Sequence, residues 1–312
     1  MLPFSKEFFL GETRDGFYVE PMMKCAWAAQ LEVLAVIEGI CNKYGLQYFA
    51  DWGTLLGAVR HHGFIPWDDD MDICMLRKDY DKFFAVAAQE LPEEYRILDV
   101  NNRLEWNQLF ARIINAESVC YNDDRLMKFH GCPFVVGIDI FPLDDLPEDP
   151  QEEELFLKFF SSVYFPGYLY AQDPSEIDEM LPDLETLCNR KFDRSKSIQN
   201  QLLKTADLIE RTYQNSDSPF ISNLANHVSE KKQYLRKEWY QDCIYLPFEE
   251  FELPVPVGYD GVLTTLYGDY MTPVRNTSTH NYPFYKVQQE VYKQTVMERL
   301  LGSSYNPDNG QK

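Results

Sequence analysis

No run of roughly 18 uninterrupted apolar residues occurs in the 312-residue chain, and the opening MLPFSKEFFLGETRDG lacks the basic start and sustained apolar stretch of a secretory leader. The expectation is a cytoplasmic protein with no transmembrane segment, whose membrane contact, if any, is peripheral. Cysteine pairs are missing too. Cys25, Cys41, Cys74, Cys120, Cys132, Cys188 and Cys243 are odd in number and form no CxxC, which excludes the usual zinc and redox spacings and predicts reduced, packed thiols. Basic residues are in deficit, 29 against 50 acidic, and a formal net charge of −21 repels nucleic acid and anionic surfaces. No nucleic-acid partner is expected, and the excess charge needs no role beyond solubility. Internal repeats and low-complexity tracts are absent as well.

What the chain does have is core. An apolar content of 45%, with 15% aromatic residues, suffices for one large domain or two ordinary ones. Apolar periodicity predicts a helix over residues 23–44 with Trp27, Leu31, Leu34, Ile37, Cys41 and Tyr44 on one face, stopped by Gly45. A short strand over 46–50 follows. Trp52-Gly53-Thr54 turns it into a short helix that ends near His62-Gly63, with His61 and His62 as caps rather than metal ligands. Pro66 then enforces an extended approach to Asp68, Asp69, Asp70 and Asp72.

A strand over 68–75 would place Asp70, Asp72 and Cys74 on one face and Met71, Ile73 and Met75 on the other, with Asp69 facing away. An amphipathic helix on Tyr80, Phe83, Phe84, Ala87 and Leu91 comes next, then strand-like runs at 95–100, 108–114, 118–121 and 134–146, the last carrying Asp139. These elements define a core unit over residues 1–147, an α+β arrangement of a small mixed sheet flanked by helices. Pro147-Glu148-Asp149-Pro150 marks its end. Residues 148–312 read as mainly helical, with helices at 151–164, 177–189 and 195–214 and loops at Pro166-Gly167, Asp173-Pro174 and 216–219. A segment at about 246–282, rich in alternating prolines and apolar residues, returns to the core through a short helix over 263–267.

Consecutive carboxylates repel one another and hold protons unless a cation neutralises them, so the run from Asp68 to Asp72 predicts a divalent ion. On a strand, Asp70 and Asp72 lie about 6.6 Å apart on one face, and Asp68 joins them if the strand begins early. Asp139, flanked by Ile138 and Ile140, is costly to bury unpaired and is the candidate third ligand. Magnesium, with manganese as a substitute, suits two or three carboxylates because it keeps waters and completes its shell with substrate phosphates. Backbone N–H groups at Gly53 and the Thr54 hydroxyl offer an anion cradle at a helix start. Phosphoryl transfer needs those two features, a metal and a cradle.

Arg60, at the end of the short helix, is a candidate phosphate ligand, with an exposed helix-end charge as the plain alternative. Arg112, within LFARII, requires an anionic partner, either substrate or an active-site carboxylate, with a purely structural salt bridge as the plain alternative. Trp52 and Trp67 flank the acids and could stack on a base or a quaternary ammonium, although core packing explains them equally well. Arg275 and His280 follow YGDY and are candidates to close over a phosphate, with plain surface positions as the alternative.

The stretches GTLLGAVRHHGFIPWDDDMDI and GIDIFPLD, with YGDYMTP further on, resemble the motifs of the LicD family, which includes fukutin-related proteins and belongs to the nucleotidyltransferase-fold superfamily. One departure is that Met271-Thr272-Pro273-Val274 carries a single proline where the family tends to two. The resemblance implies a nucleotidyltransferase-type core and a magnesium-dependent transferase that moves a phospho-alcohol, such as phosphocholine from CDP-choline or a polyol phosphate from a CDP-polyol. The implied acceptor is a cell-surface glycan or its lipid-linked precursor, of the teichoic acid or lipopolysaccharide kind. By position, Asp70, Asp72 and Asp139 would be ligands with Asp68 close by, and Asp139 would also serve as base. Two other readings remain: a nucleotidyltransferase adding NMP from an NTP, and a non-catalytic nucleotide sensor.

Overall fold

The computed structural model describes residues 1–230, 232–274 and 282–301. A short hairpin, β1 (Glu12–Arg14) with β2 (Phe17–Val19), precedes the helix α1 (Pro21–Tyr44). Proline at its first turn and Gly45 just past its end, at φ 63°, give α1 sharp limits, since the left-handed stop is a conformation glycine adopts without strain. Among the described residues α1 is the helix long and apolar enough to cross a membrane, but 61% of that stretch is buried inside this fold. It serves here as a core helix, and Ala26, Trp27, Ala29, Val33 and Ile37 are fully buried.

The chain continues through β3 (Phe49–Ala50), α2 (Trp52–Arg60), β4 (Asp72–Leu76), α3 (Arg77–Glu90), β5 (Arg96–Leu98), β6 (Ala111–Ile114), α4 (Asp123–Lys128) and β7 (Gly137–Asp145). The main sheet runs β3-β4-β7-β6-β5, with β4 and β7 parallel and the other neighbours antiparallel. Central β7 is buried from Ile138 to Asp145, as expected of a strand covered on both faces. Burial of each of Ile138 and Ile140 stabilises by roughly 1.5–3 kcal/mol. The expected α+β core is therefore present. Residues 118–121 are not a strand; in that segment Cys120 N–H donates to Pro133 O at 2.9 Å.

Three helices, α5 (Pro150–Leu169), α6 (Pro174–Leu187) and α7 (Ile198–Glu210), build a second core from Phe156, Phe160, Leu181, Leu202 and Leu203. The loop expected at Pro166-Gly167 does not exist, because α5 runs through both residues. Gly167 explains this: a Cβ there would stand 3.1 Å from Leu202 Cβ and Leu203 Cγ, so the glycine is the point where α5 crosses α7 closely. Asp173 and Pro174 start α6 as its cap and first residue.

Arg77 fastens this helical part to the sheet. Its guanidinium donates to both Asp144 oxygens (2.7 and 2.6 Å) on β7, and to Glu210 Oε2 (3.1 Å) and Asp207 Oδ1 (3.2 Å) on α7. Beyond α7, β8 (Phe220–Ser222) pairs the end of β7, α8 (Leu224–Ser229) follows, and β9 (Leu235–Arg236) pairs β8. A hairpin of β10 (Cys243–Phe248) and β11 (Phe251–Pro256), then α9 (Tyr259–Tyr267) and α10 (Tyr285–Leu301), complete the fold.

Candidate active site

Sheet register sets the site. Asp72 on β4 lies opposite Asp139 on β7, and Asp139 lies opposite Arg112 on β6. Residues in register share a face, so the three side chains form one row across adjacent strands. Arg112 grips Asp139 in a bidentate pair, Nη2 to Oδ2 at 2.6 Å and Nε to Oδ1. Burial works to lower the guanidinium's pKa, but Asp139 outweighs it and holds the charge on Arg112. Gly137 makes room for this pairing, since a Cβ there would stand 2.9 Å from Ile113 O and 3.1 Å from Arg112 Cγ. The anionic partner that Arg112 requires is thus the carboxylate of Asp139.

Asp72 carries a heavy electrostatic burden. Burial, and then the charges of Asp70, Asp139, Asp68 and Asp51, push its pKa well above the usual carboxylate range. A cation among these oxygens would relieve the burden, so the donor set fits a hard divalent ion such as magnesium.

The acidic loop differs from its expected geometry. β4 begins only at Asp72, so Asp68, Asp69 and Asp70 lie in irregular chain where strand alternation does not apply. Asp69, expected to face away, instead brings a carboxylate oxygen within 4.8 Å of those of Asp68 and Asp70. It is buried, and its Oδ2 accepts the Phe284 N–H at 2.6 Å. Two side chains of α1 hold the loop: Gln30 Nε2 donates to Asp69 O (2.9 Å) and Trp27 Nε1 donates to Asp68 O (3.3 Å). Asp72 and Asp139 stand outside the close trio, at the adjoining end of the sheet.

The start of α2 meets the same strand. Asp51 caps the helix by accepting the Trp52 N–H at 3.0 Å, and Trp52 adopts φ 43°. A Cβ on Gly53 would lie 2.3 Å from Asp68 Oδ2, so only glycine lets that carboxylate approach the helix start. Thr54 is buried, and its hydroxyl oxygen accepts the Asp72 N–H at 2.9 Å, while the Asp51 N–H donates to Asp72 O at 3.0 Å. Both backbone groups of Asp72 are therefore tied to the helix start. Asp51 was not singled out in the sequence, although an aspartate just before a helix is a capping signal; burial pushes its pKa up to about 6.

The C-terminal segment also reaches the acids. Arg60 Nη1 donates to Tyr270 O at 2.6 Å, which ties the end of α2 to the YGDY stretch. Tyr267, a further residue missed in the sequence, is partly exposed, and its phenol pKa is raised by desolvation of its hydroxyl end and then by Asp51, Asp72, Asp68 and Asp70. Its place inside a quoted motif was the available signal. The Tyr282 hydroxyl donates to Pro66 O at 3.2 Å. Trp67 packs edge-on against Phe17 and His61, with ring centroids 6.2 and 6.0 Å away. Arg275 and His280 lie outside the described residues.

Beside the row lies a cavity of about 430 Å³ with Asp70, Asp139 and Arg112 among its lining residues and Leu98, Ile114 and Phe284 among its walls. A metal-binding carboxylate set, a paired arginine and a helix start together can hold and neutralise phosphoryl groups.

Residues 45–147 match the family described as LicD/FKTN/FKRP, nucleotidyltransferase domain. That segment contains both core motifs, so the LicD resemblance holds. Over 251 residues, 77% of this chain and 88% of the relative, the sequence is 28% identical to the lipopolysaccharide cholinephosphotransferase LicD of Haemophilus influenzae. Over 162 residues, 50% of this chain, it is 36% identical to the ribitol 5-phosphate transferase FKRP of Mus musculus, of which it spans 31%. The human FKRP matches at 36% over 71 residues, 14% of its length.

Proposed function

Given a LicD-family nucleotidyltransferase domain at residues 45–147, we propose that this protein transfers a phospho-alcohol from a CDP-linked donor, CDP-choline foremost, to a hydroxyl of a glycan or lipid-linked glycan on the cytoplasmic side. The register of Asp72, Asp139 and Arg112 carries the reading, because it sets two carboxylates and a cation in one row beside a helix start. Similarity to a cholinephosphotransferase across most of its length supports phosphocholine, and the shorter match to a ribitol 5-phosphate transferase supports the wider phospho-alcohol class. Magnesium, held by Asp70, Asp72 and Asp139 with Asp68 beside them, would neutralise the phosphoryl oxygens when bound.

The chain's own residues do the rest. Gly53 at the start of α2 receives a phosphate, and Thr54 fixes Asp72 beneath it. The acceptor oxygen forms a bond to the transferred phosphorus, the bond from that phosphorus to the CMP oxygen breaks, and CMP leaves with the electron pair. The hydroxyl proton passes to Asp139. Arg112 keeps that carboxylate pointed at the reacting centre.

The test is incubation with Mg²⁺, a glycan acceptor and CDP-choline, CDP-glycerol or CDP-ribitol. CMP release that falls on the order of 10²-fold or more in Asp70→Ala and Asp72→Ala supports the reading. Pyrophosphate release from an NTP, with CDP-alcohols inert, would select nucleotidyl transfer instead.

A further inference from the structure

The cavity beside the acid row sits on one side of Asp139, under α10, and is walled by Leu98, Ile114, Val136, Phe284 and Val287. At about 430 Å³ it falls in the ~300–1,000 Å³ range of small-ligand pockets. Its charged lining is Asp69, Asp70 and Asp139 against Arg112, and Arg112 is already engaged by Asp139. The helix start at Gly53, which suits phosphate, is not among its lining residues.

A second feature concerns Gln30, on the same wall. Its Nε2 is used by Asp69 O, whereas its Oε1 is buried with no hydrogen-bond partner among the described residues. A buried acceptor left that way costs about 1–3 kcal/mol, which a hydroxyl donor would offset. Apolar walls suit the C–H face of a sugar ring, and the carboxylates and Gln30 at its edge suit the hydroxyls.

We propose that this cavity is the acceptor subsite and takes an uncharged, hydroxyl-rich sugar, with one hydroxyl delivered to Asp139 and another to Gln30. The assignment rests on the transfer reading above. It divides the two substrates between the sides of the Asp72–Asp139–Arg112 row: donor phosphates at α2, acceptor sugar under α10.

Val287 is half-exposed on α10, so a larger side chain can enter the cavity from outside the core. The experiment compares wild type, Val287→Trp and Val287→Ala in the full chain. Lactose binding is followed by saturation-transfer NMR, CDP-choline binding with Mg²⁺ by calorimetry, and folding by thermal unfolding. Expected is lactose binding at least roughly tenfold weaker in Val287→Trp, retained in Val287→Ala, with CDP-choline affinity unchanged in both. Wild type that does not bind lactose, lactose binding indifferent to Val287→Trp, or CDP-choline binding lost in its place would overturn the proposal. If those binding results hold but no variant or wild type releases CMP, the subsite stands and the transfer reading fails.

Discussion

Asp72 and Asp139 occupy the same register of the parallel strands β4 and β7, so two residues 67 positions apart present their carboxylates side by side on one face. Arg112 extends the row on the opposite flank of Asp139. Around it, Gly53, Thr54 and Gly137 are chosen for fit: each lets a charged group approach, or holds its backbone still.

Gly53→Ala separates activity from stability. Alanine favours helix over glycine by about 1 kcal/mol, so thermal stability should hold or rise. The new Cβ, 2.3 Å from Asp68 Oδ2, must push that carboxylate aside. Half-saturation of activity by Mg²⁺ should therefore rise about tenfold, measured by CMP release across a magnesium titration.

Thr54→Val deletes the acceptor of the half-buried Asp72 N–H while nearly preserving shape. Urea unfolding should report a loss of about 1–3 kcal/mol. Thr54→Ser keeps the oxygen, and most of the loss should be recovered.

Arg77→Ala leaves Asp144 and Glu210 buried without their cation. A loss of about 3–5 kcal/mol is expected in denaturant unfolding, since removing one partner of a buried ion pair strands the other. Limited proteolysis should then cut first in α5–α7, which Arg77 fastens to β7.

Acidification should destabilise the fold through His227. Burial lowers its pKa below the ordinary 6.5, and its Nδ1 is engaged by Ser222 Oγ and by the backbone of Gln233. The unfolded chain takes up a proton near 6.5 while the folded one does not, so stability is full above that value and falls as pH drops below it, by up to about 1.4 kcal/mol per unit. His227→Gln should flatten the difference between urea midpoints at pH 7.5 and 5.5.

Much of this was legible beforehand. The end of α1 follows from Gly45, although the helix opens at Pro21, two residues before the apolar periodicity begins, and the pairing demand of Arg112 follows from its place in an apolar strand. Asp69 was misread because alternation was extended into residues 68–71, which are irregular. Pro166-Gly167 looked like a break, but its value lies in a tertiary contact with Leu202 and Leu203 that no local pattern encodes. The partnership of Thr54 with Asp72, and the approach of Tyr267 to the acids, likewise depend on chain segments that meet only after folding.

Whether the Asp72–Asp139 row drives transfer from a CDP-alcohol is read out by ³¹P NMR of CDP-choline with Mg²⁺ and a glycan acceptor. Expected is loss of the diphosphate signals with matched growth of CMP and a glycan phosphodiester, stopped by EDTA and by Asp139→Asn. Persistent diphosphate signals across CDP-alcohols with competent acceptors, or turnover at wild-type rate in Asp139→Asn, would contradict it.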